Sequence, residues 1–195
     1  MIRQKAERLA ALCCERKWIE EDAREWCVYA LEKWMGLGLF FLAVVLWMLF
    51  SGLWLETTAF LAPFYLLRRR MGGCHAKSPH VCFFFSVGLV VLVSALLGRL
   101  LLALPAWLLL AMDGAAVLTL FLLSPAYPPQ VNFTQEEAQA NGKRKNLLLA
   151  GIFLLQLLSL PLLDGRFLAC SLCGLVFSAA TIIIQKNILK RGFTA

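Results

Sequence analysis

What this chain can fold into is limited first by six apolar blocks, at 34–55, 57–67, 82 or 83 to 98, 100–123, 147–163 and 167–185. The hydrocarbon core of a bilayer is ~30 Å thick and takes about twenty apolar residues of helix to cross. Most of the blocks approach that length. Hydrophobic residues make up 61% of the chain, well above the roughly 45–50% apolar usage of soluble domains, and the mean hydropathy is +0.74. Lipid offers nothing to an open backbone N–H or C=O, so such blocks bury their own hydrogen bonds as helices. The expected fold class is all-α, a polytopic membrane bundle of about six transmembrane helices with an N-terminal amphipathic helical region. In 195 residues a bundle of that size leaves little for a separate soluble domain. One domain is expected, with 1–33 as cytoplasmic or interfacial amphipathic helices, 34–185 as the transmembrane bundle and 186–195 as a cytoplasmic tail.

The first thirty residues contain no uninterrupted apolar core of the kind a cleavable signal needs, so insertion is expected to use the spans themselves. From Arg3 to Lys33, Leu12, Ile19, Ala23, Trp26, Cys27, Ala30 and Trp34 recur at three- and four-residue steps, while seven acids and seven bases fill the other faces. That is an amphipathic helical pattern in more than one piece. It suits a helix lying at headgroup depth, and equally one that docks an amphipathic peptide. Glu56 is expected to close the first span. The second block is short and holds Pro63, so it is either a buried half-span or a full span that borrows Trp54, Leu55 and the stems of Arg68 and Arg69. Gly98-Arg99 and Pro105 separate the third and fourth blocks, and 124–146 reads as the long polar loop before the fifth.

Charge placement favours counting the second block as a span. With six spans and both termini inside, all but Arg99 and Arg166 of the 19 Lys and Arg residues fall on the cytoplasmic side, a strong positive-inside asymmetry. The net charge of +7 then reports membrane orientation, and no nucleic acid is implied.

Between the second and third blocks lies 68–82, which reads RRRMGGCHAKSPHVC and holds both histidines of the chain. A thiol, Cys82, and an imidazole, His75, at a membrane edge are the parts of a thiolate nucleophile and its base. On one continuous helix their seven-residue separation would be roughly 10 Å of axial rise, too far for a hydrogen bond. Gly72, Gly73 and Pro79 are the residues that let the backbone break and fold back. Cys82 falls where the third span begins, and the unpaired N–H groups and positive dipole end of a helix favour a negative sulfur. His80, two residues from Cys82, points elsewhere in helix or turn and is the fallback base.

Arg70, Gly72, Gly73, His75, Ala76, Lys77 and Cys82, in that spacing and entering a transmembrane segment, closely resemble the motif of the AgrB family, the accessory gene regulator B membrane peptidases of Gram-positive quorum sensing. Elsewhere the similarity is one of layout: a charged amphipathic start, six apolar segments and a basic cluster before the fifth. Position 74 departs from the family pattern, with Cys where an aromatic is frequent, and this places a second thiol beside the base. The resemblance implies a membrane cysteine endopeptidase in which His75 deprotonates Cys82. The enzyme would cut the C-terminal tail from an AgrD-like propeptide and hold the remainder as an acyl-thioester. Capture by a Cys or Ser of the substrate would then give a thiolactone or lactone signal. It implies no cofactor and suggests a homodimer in the cell membrane, while the charge asymmetry places the catalytic loop on the cytoplasmic side. Arg70, Lys77, Lys143, Arg144 and Lys145 are the candidate substrate-binding cations, suited to an acidic peptide tail. Lys143-Arg144-Lys145 would also serve to anchor the fifth span.

Three other features compete for a role. Cys74, His75, His80 and Cys82 carry ligand types that zinc prefers, so the alternative function is a non-enzymatic metal-binding or transport bundle, although their spacing matches no common zinc frame. Asp113 falls near the middle of the fourth span, where an ionised acid is costly. It would either orient His75 or hydrogen-bond inside the bundle. Asp164-Gly165 reads as an ordinary turn. The seven cysteines are scattered without a disulfide frame, and Cys170 and Cys173 read as packing inside the sixth span.

Overall fold

The apolar blocks are helices. The computed structural model describes residues 2–73, 79–126, 135–161 and 165–190, and among them the chain forms a helical bundle with no strand beyond one isolated bridge. The amphipathic start is a hairpin. Helix α1 (Ile2–Glu15) packs against the first part of α2 (Arg24–Ser51), with a single 3-10 turn at Glu21–Ala23 between them. Ala6 and Ala10 are fully buried, small enough to let two helices approach closely. Trp18, Trp26, Tyr29 and Trp34 stand exposed along this arm, as aromatic side chains at headgroup depth do. No break separates 33 from 34, because α2 runs from the amphipathic arm straight into the first apolar block.

The end of that block differs from expectation. Helix α2 stops at Ser51, where Gly52 takes the left-handed conformation (φ 69) and caps Met48 O, and the chain restarts as α3 (Trp54–Met71). Glu56 therefore does not close the first span. It lies in the first turn of α3, almost fully buried, and accepts a hydrogen bond from Arg166 at 3.4 Å. Starting at Trp54 and ending at Met71, α3 has 18 residues, about 27 Å of helix. The helix does take in Trp54, Leu55 and the arginines, as the longer of the two expected forms requires. It is not, however, among the described stretches that are long and apolar enough to cross a membrane by themselves.

Helix α3 is the hub. It packs most extensively against α8 (Arg166–Lys190), and the reason is a row of small residues, Cys170, Gly174 and Ser178, one turn apart on α8. A Cβ added at Gly174 would come within 2.6 Å of Phe60 O, so the two backbones touch, as helices in lipid do when small residues line their seam. Phe60, Phe64, Val44, Val90 and Val93 complete one core cluster with Cys170 and Cys173. Both cysteines are free thiols used for packing.

Three further boundaries move. The helix that opens at Pro79 as α4 (Pro79–Leu92) passes through a π-helical turn (Val93–Leu97) into α5 (Gly98–Leu101), so Gly98-Arg99 lies inside a continuous helix. The chain reverses at 102–105, where Pro105 precedes α6 (Ala106–Leu122). At the π turn, Ser94 Oγ donates to Val90 O and accepts from Trp47 Nε1 at 3.0 Å, pinning α4 to α2. Much of the polar loop at 124–146 is helical too: α7 (Gln135–Ser159) begins twelve residues before the apolar block. Its opening, QEEAQANGKRK, is rich in strong helix formers with Glu136 and Glu137 in the first turn, where acids suit the helix dipole. A search for apolar runs does not see it. Among the described residues, three helical stretches are long and apolar enough to cross a membrane by themselves, Glu21–Ser51, His80–Leu101 and Arg166–Ile188. Helices α3, α6 and α7 pack on this frame.

Candidate functional site

Arg68, Arg69 and Arg70 occupy the last turn of α3, where cations suit the negative end of a helix. Gly72 ends the helix with φ 76 while its N–H still bonds Arg68 O, and Gly73 follows with φ 138. Two successive residues in backbone regions open to glycine turn the chain off the helix axis, the break that the sequence permits. The turn is held from three sides. Ala126 N–H donates to Met71 O at 2.8 Å, and Gly72 forms its bridge with Ala126. The Arg70 guanidinium donates to Asn141 Oδ1 on α7 at 3.4 Å. Gly73 lies so close to α8 that a Cβ there would sit 3.1 Å from Thr181 Oγ1.

Cys74, His75, Ala76, Lys77 and Ser78 lie outside the described residues, and so does Asp164. The chain resumes at Pro79, the first residue of α4, a position where a missing N–H breaks no helical bond. Cys82 is the fourth residue of that helix and half-buried. The first four N–H groups of a helix have no partner within it, and helical side chains lean toward the N-terminus. The Cys82 sulfur thus belongs to the end of α4 where unpaired donors gather. His80 is exposed. Residues two apart on a helix do not share a face, so His80 is directed away from Cys82, and the pair cannot close one metal centre between them. Among the described residues no three His, Cys, Asp or Glu side chains gather as a metal site.

The basic triplet on α7 divides. Lys143 and Arg144 are exposed, whereas Lys145 is only 5% exposed. Its Nζ donates to Leu120 O at 3.1 Å, Phe121 O at 2.9 Å and Leu123 O at 3.1 Å, carbonyls of the last turn of α6 and of the residue that caps it. An ammonium has three N–H donors, and here each has a carbonyl. Lys145 therefore leaves the set of candidate substrate contacts: it caps α6 and fixes α7 beside it. Asn141, one turn earlier on the same face of α7, meets Arg70. These two contacts carry the exposed pair Lys143 and Arg144 to the same end of the bundle as Cys82.

With this geometry in view, the extent of one match decides the family. The model of the family described as accessory gene regulator B matches residues 6–189, nearly the whole chain. The chain belongs to the AgrB family. Neither a curated protein nor a solved structure matches it. It is thus a membrane protein of the accessory gene regulator system, and AgrB proteins are generally protease-like membrane enzymes of autoinducer processing.

In this AgrB chain Asp113 stands apart from the motif. It is fully buried on α6, nine residues before Leu122, about 13 Å of helix from the basic end. Gln156 Nε2 on α7 donates to its Oδ1 at 2.8 Å and to Ser171 Oγ on α8 at 2.8 Å. The hydrogen bond inside the bundle expected of Asp113 is thus present, while His75, the partner in its other expected role, lies outside the described residues. Gln156, Ser171, Asn141 and Thr181 escaped the sequence reading. Gln156 had a signal, since a primary amide within an apolar block needs a buried partner as much as a buried acid does. The others are ordinary polar residues until the helices are assembled.

Proposed function

We propose that this AgrB protein is a membrane-embedded cysteine endopeptidase, with Cys82 as nucleophile and His75 as its base. In this reading the basic end of the bundle, carrying Arg68–Arg70, Lys143, Arg144 and both termini, is cytoplasmic. The Cys82 thiolate attacks a peptide carbonyl of an AgrD-like propeptide, the C-terminal tail leaves as an amine, and the acyl group stays on Cys82 as a thioester. A Cys or Ser within the retained segment then attacks that thioester and frees the enzyme as the ring closes. Arg70, Lys77, Lys143 and Arg144 receive the acidic tail, an attraction that salt screens. The enzyme works as a homodimer and needs no cofactor.

The observation that supports this best is the placement of Cys82 in the first turn of α4, just beyond a glycine-broken connection from the arginine turn of α3. Unpaired helix N–H groups there suit both a thiolate and the oxyanion formed when it attacks. A site at the membrane edge also limits water, which favours cyclisation over hydrolysis.

The test is to incubate membranes containing the protein with a synthetic peptide that has an amphipathic start, a central Cys and an acidic end. Wild type should release the tail and form the ring. Cys82→Ser and His75→Ala should each lose at least about a hundredfold in rate, the range that general bases and nucleophiles supply. Undiminished cleavage by Cys82→Ser would end the proposal.

A further inference from the structure

At the end of the bundle opposite the arginine turn, the α2–α3 connection, the start of α3, the α5 turn and the start of α8 leave a cavity of about 210 Å³ between them. Leu53 and Leu102 form apolar wall, and Glu56, Arg99 and Arg166 bring charge. Glu56 is almost fully buried and is held by Arg166 at 3.4 Å. Arg99 is exposed on the last turn of α5 and has no hydrogen bond or ion pair among the described residues. Among the described residues, the lining of the cavity therefore has two cations, Arg99 and Arg166, to one carboxylate, Glu56. Helices α3 and α8 both begin here, and the positive ends of their dipoles add to these cations.

We propose that this cavity binds the phosphodiester of a membrane lipid, clamped between Arg99 and Arg166. Its single negative charge complements the excess of cations among the described lining residues, and the planar guanidinium fork matches phosphate oxygens in pairs. The volume is below the ~300–1,000 Å³ of pockets that take drug-sized ligands. That suits a phosphate with its glycerol and excludes a folded peptide. Leu53 and Leu102 then meet the first methylenes of the acyl chains, at the depth where apolar helices end. Glu56 acts as a charge filter: it anchors Arg166 and disfavours free phosphate, which carries more than one charge near pH 7. The site is independent of the peptidase reading, since it involves neither the motif nor the basic end.

The experiment uses the full-length protein in detergent with phosphatidylglycerol, phosphatidylcholine or inorganic phosphate added, and reads retained lipid by native mass spectrometry together with the melting temperature. Phosphatidylglycerol should be retained and should raise the melting temperature, with phosphatidylcholine weaker and inorganic phosphate without effect. Arg99→Gln should weaken phosphatidylglycerol binding about tenfold, the loss of one charge-assisted contact. Its melting temperature without lipid should match wild type, because the side chain is exposed and has no partner to lose among the described residues. Lys143→Gln with Arg144→Gln should bind as wild type does, which separates this site from the opposite end of the bundle. Arg166→Gln strands the buried Glu56, so Arg99→Gln carries the test. Undiminished retention in Arg99→Gln would overturn the proposal. So would a shift with inorganic phosphate as large as that with lipid, which would assign the cavity to the free ion.

Discussion

Lys145 sets a charged group among three carbonyls at the end of α6, while its neighbours Lys143 and Arg144 face outward. Replacing it with Met keeps the stem and strands the carbonyls. Lys145→Met should cost about 1–3 kcal/mol of stability, the penalty for unsatisfied buried polar groups. Lys143→Gln and Arg144→Gln should each stay within about 0.5 kcal/mol yet slow tail cleavage, most visibly at low salt. Thermal melting in detergent and a cleavage assay at two ionic strengths separate the two behaviours. Asp113 and Gln156 give a second test. Gln156→Leu removes the only donor to a buried carboxyl among the described residues and should cost a similar ~1–3 kcal/mol. Asp113→Leu combined with Gln156→Leu should recover part of that loss, because the stranded carboxyl is gone and only Ser171 Oγ lacks its former donor. If the double variant melts below Gln156→Leu, Asp113 has a further partner or task.

At the scale of elements, the seam between α3 and α8 is set by backbone contact. Gly174→Ala drives a methyl against Phe60 O, 2.6 Å away. It should cost about 1–3 kcal/mol, as overpacking of a tight interface does. Gly151 on α7 has open space around it, so Gly151→Ala should raise stability by up to ~1 kcal/mol through helix propensity alone. The same chemical change at two glycines therefore takes opposite signs, and paired melting curves check it. The helix boundaries teach a related lesson. Hydropathy found the apolar centres of the helices and missed their ends. Gly52 ends α2 where Glu56 seemed to, the π turn carries the third helix past Gly98-Arg99, and α7 extends back through polar residues that favour helix without being apolar.

Across the whole molecule, the arginines of α3, the basic start of α7 and the C-terminal end of α8 share one end, with Arg99 and Arg166 at the other. With the basic end cytoplasmic, a membrane-impermeant maleimide should label Arg99→Cys in intact cells and should reach Lys143→Cys only after permeabilisation. These variants belong in a background with the native cysteines removed. The reverse pattern would invert the orientation and with it the proposed access of a newly made propeptide to Cys82.

The sequence by itself determined that this is a helical membrane protein, where its apolar blocks lie, that the backbone is free to break at Gly72-Gly73, and, through one motif and the match over 6–189, its family. Each of these rests on local chemistry: hydropathy, glycine's freedom of φ, and residue types at fixed spacing. Only the tertiary structure decided that Lys145 caps α6 while Lys143 and Arg144 stay free of that duty, that Asp113 answers to Gln156, and that Arg99 and Arg166 converge on one cavity with Glu56. Those outcomes depend on which helix faces meet, and residues far apart in the chain reveal their partners only when packing brings them within hydrogen-bonding distance.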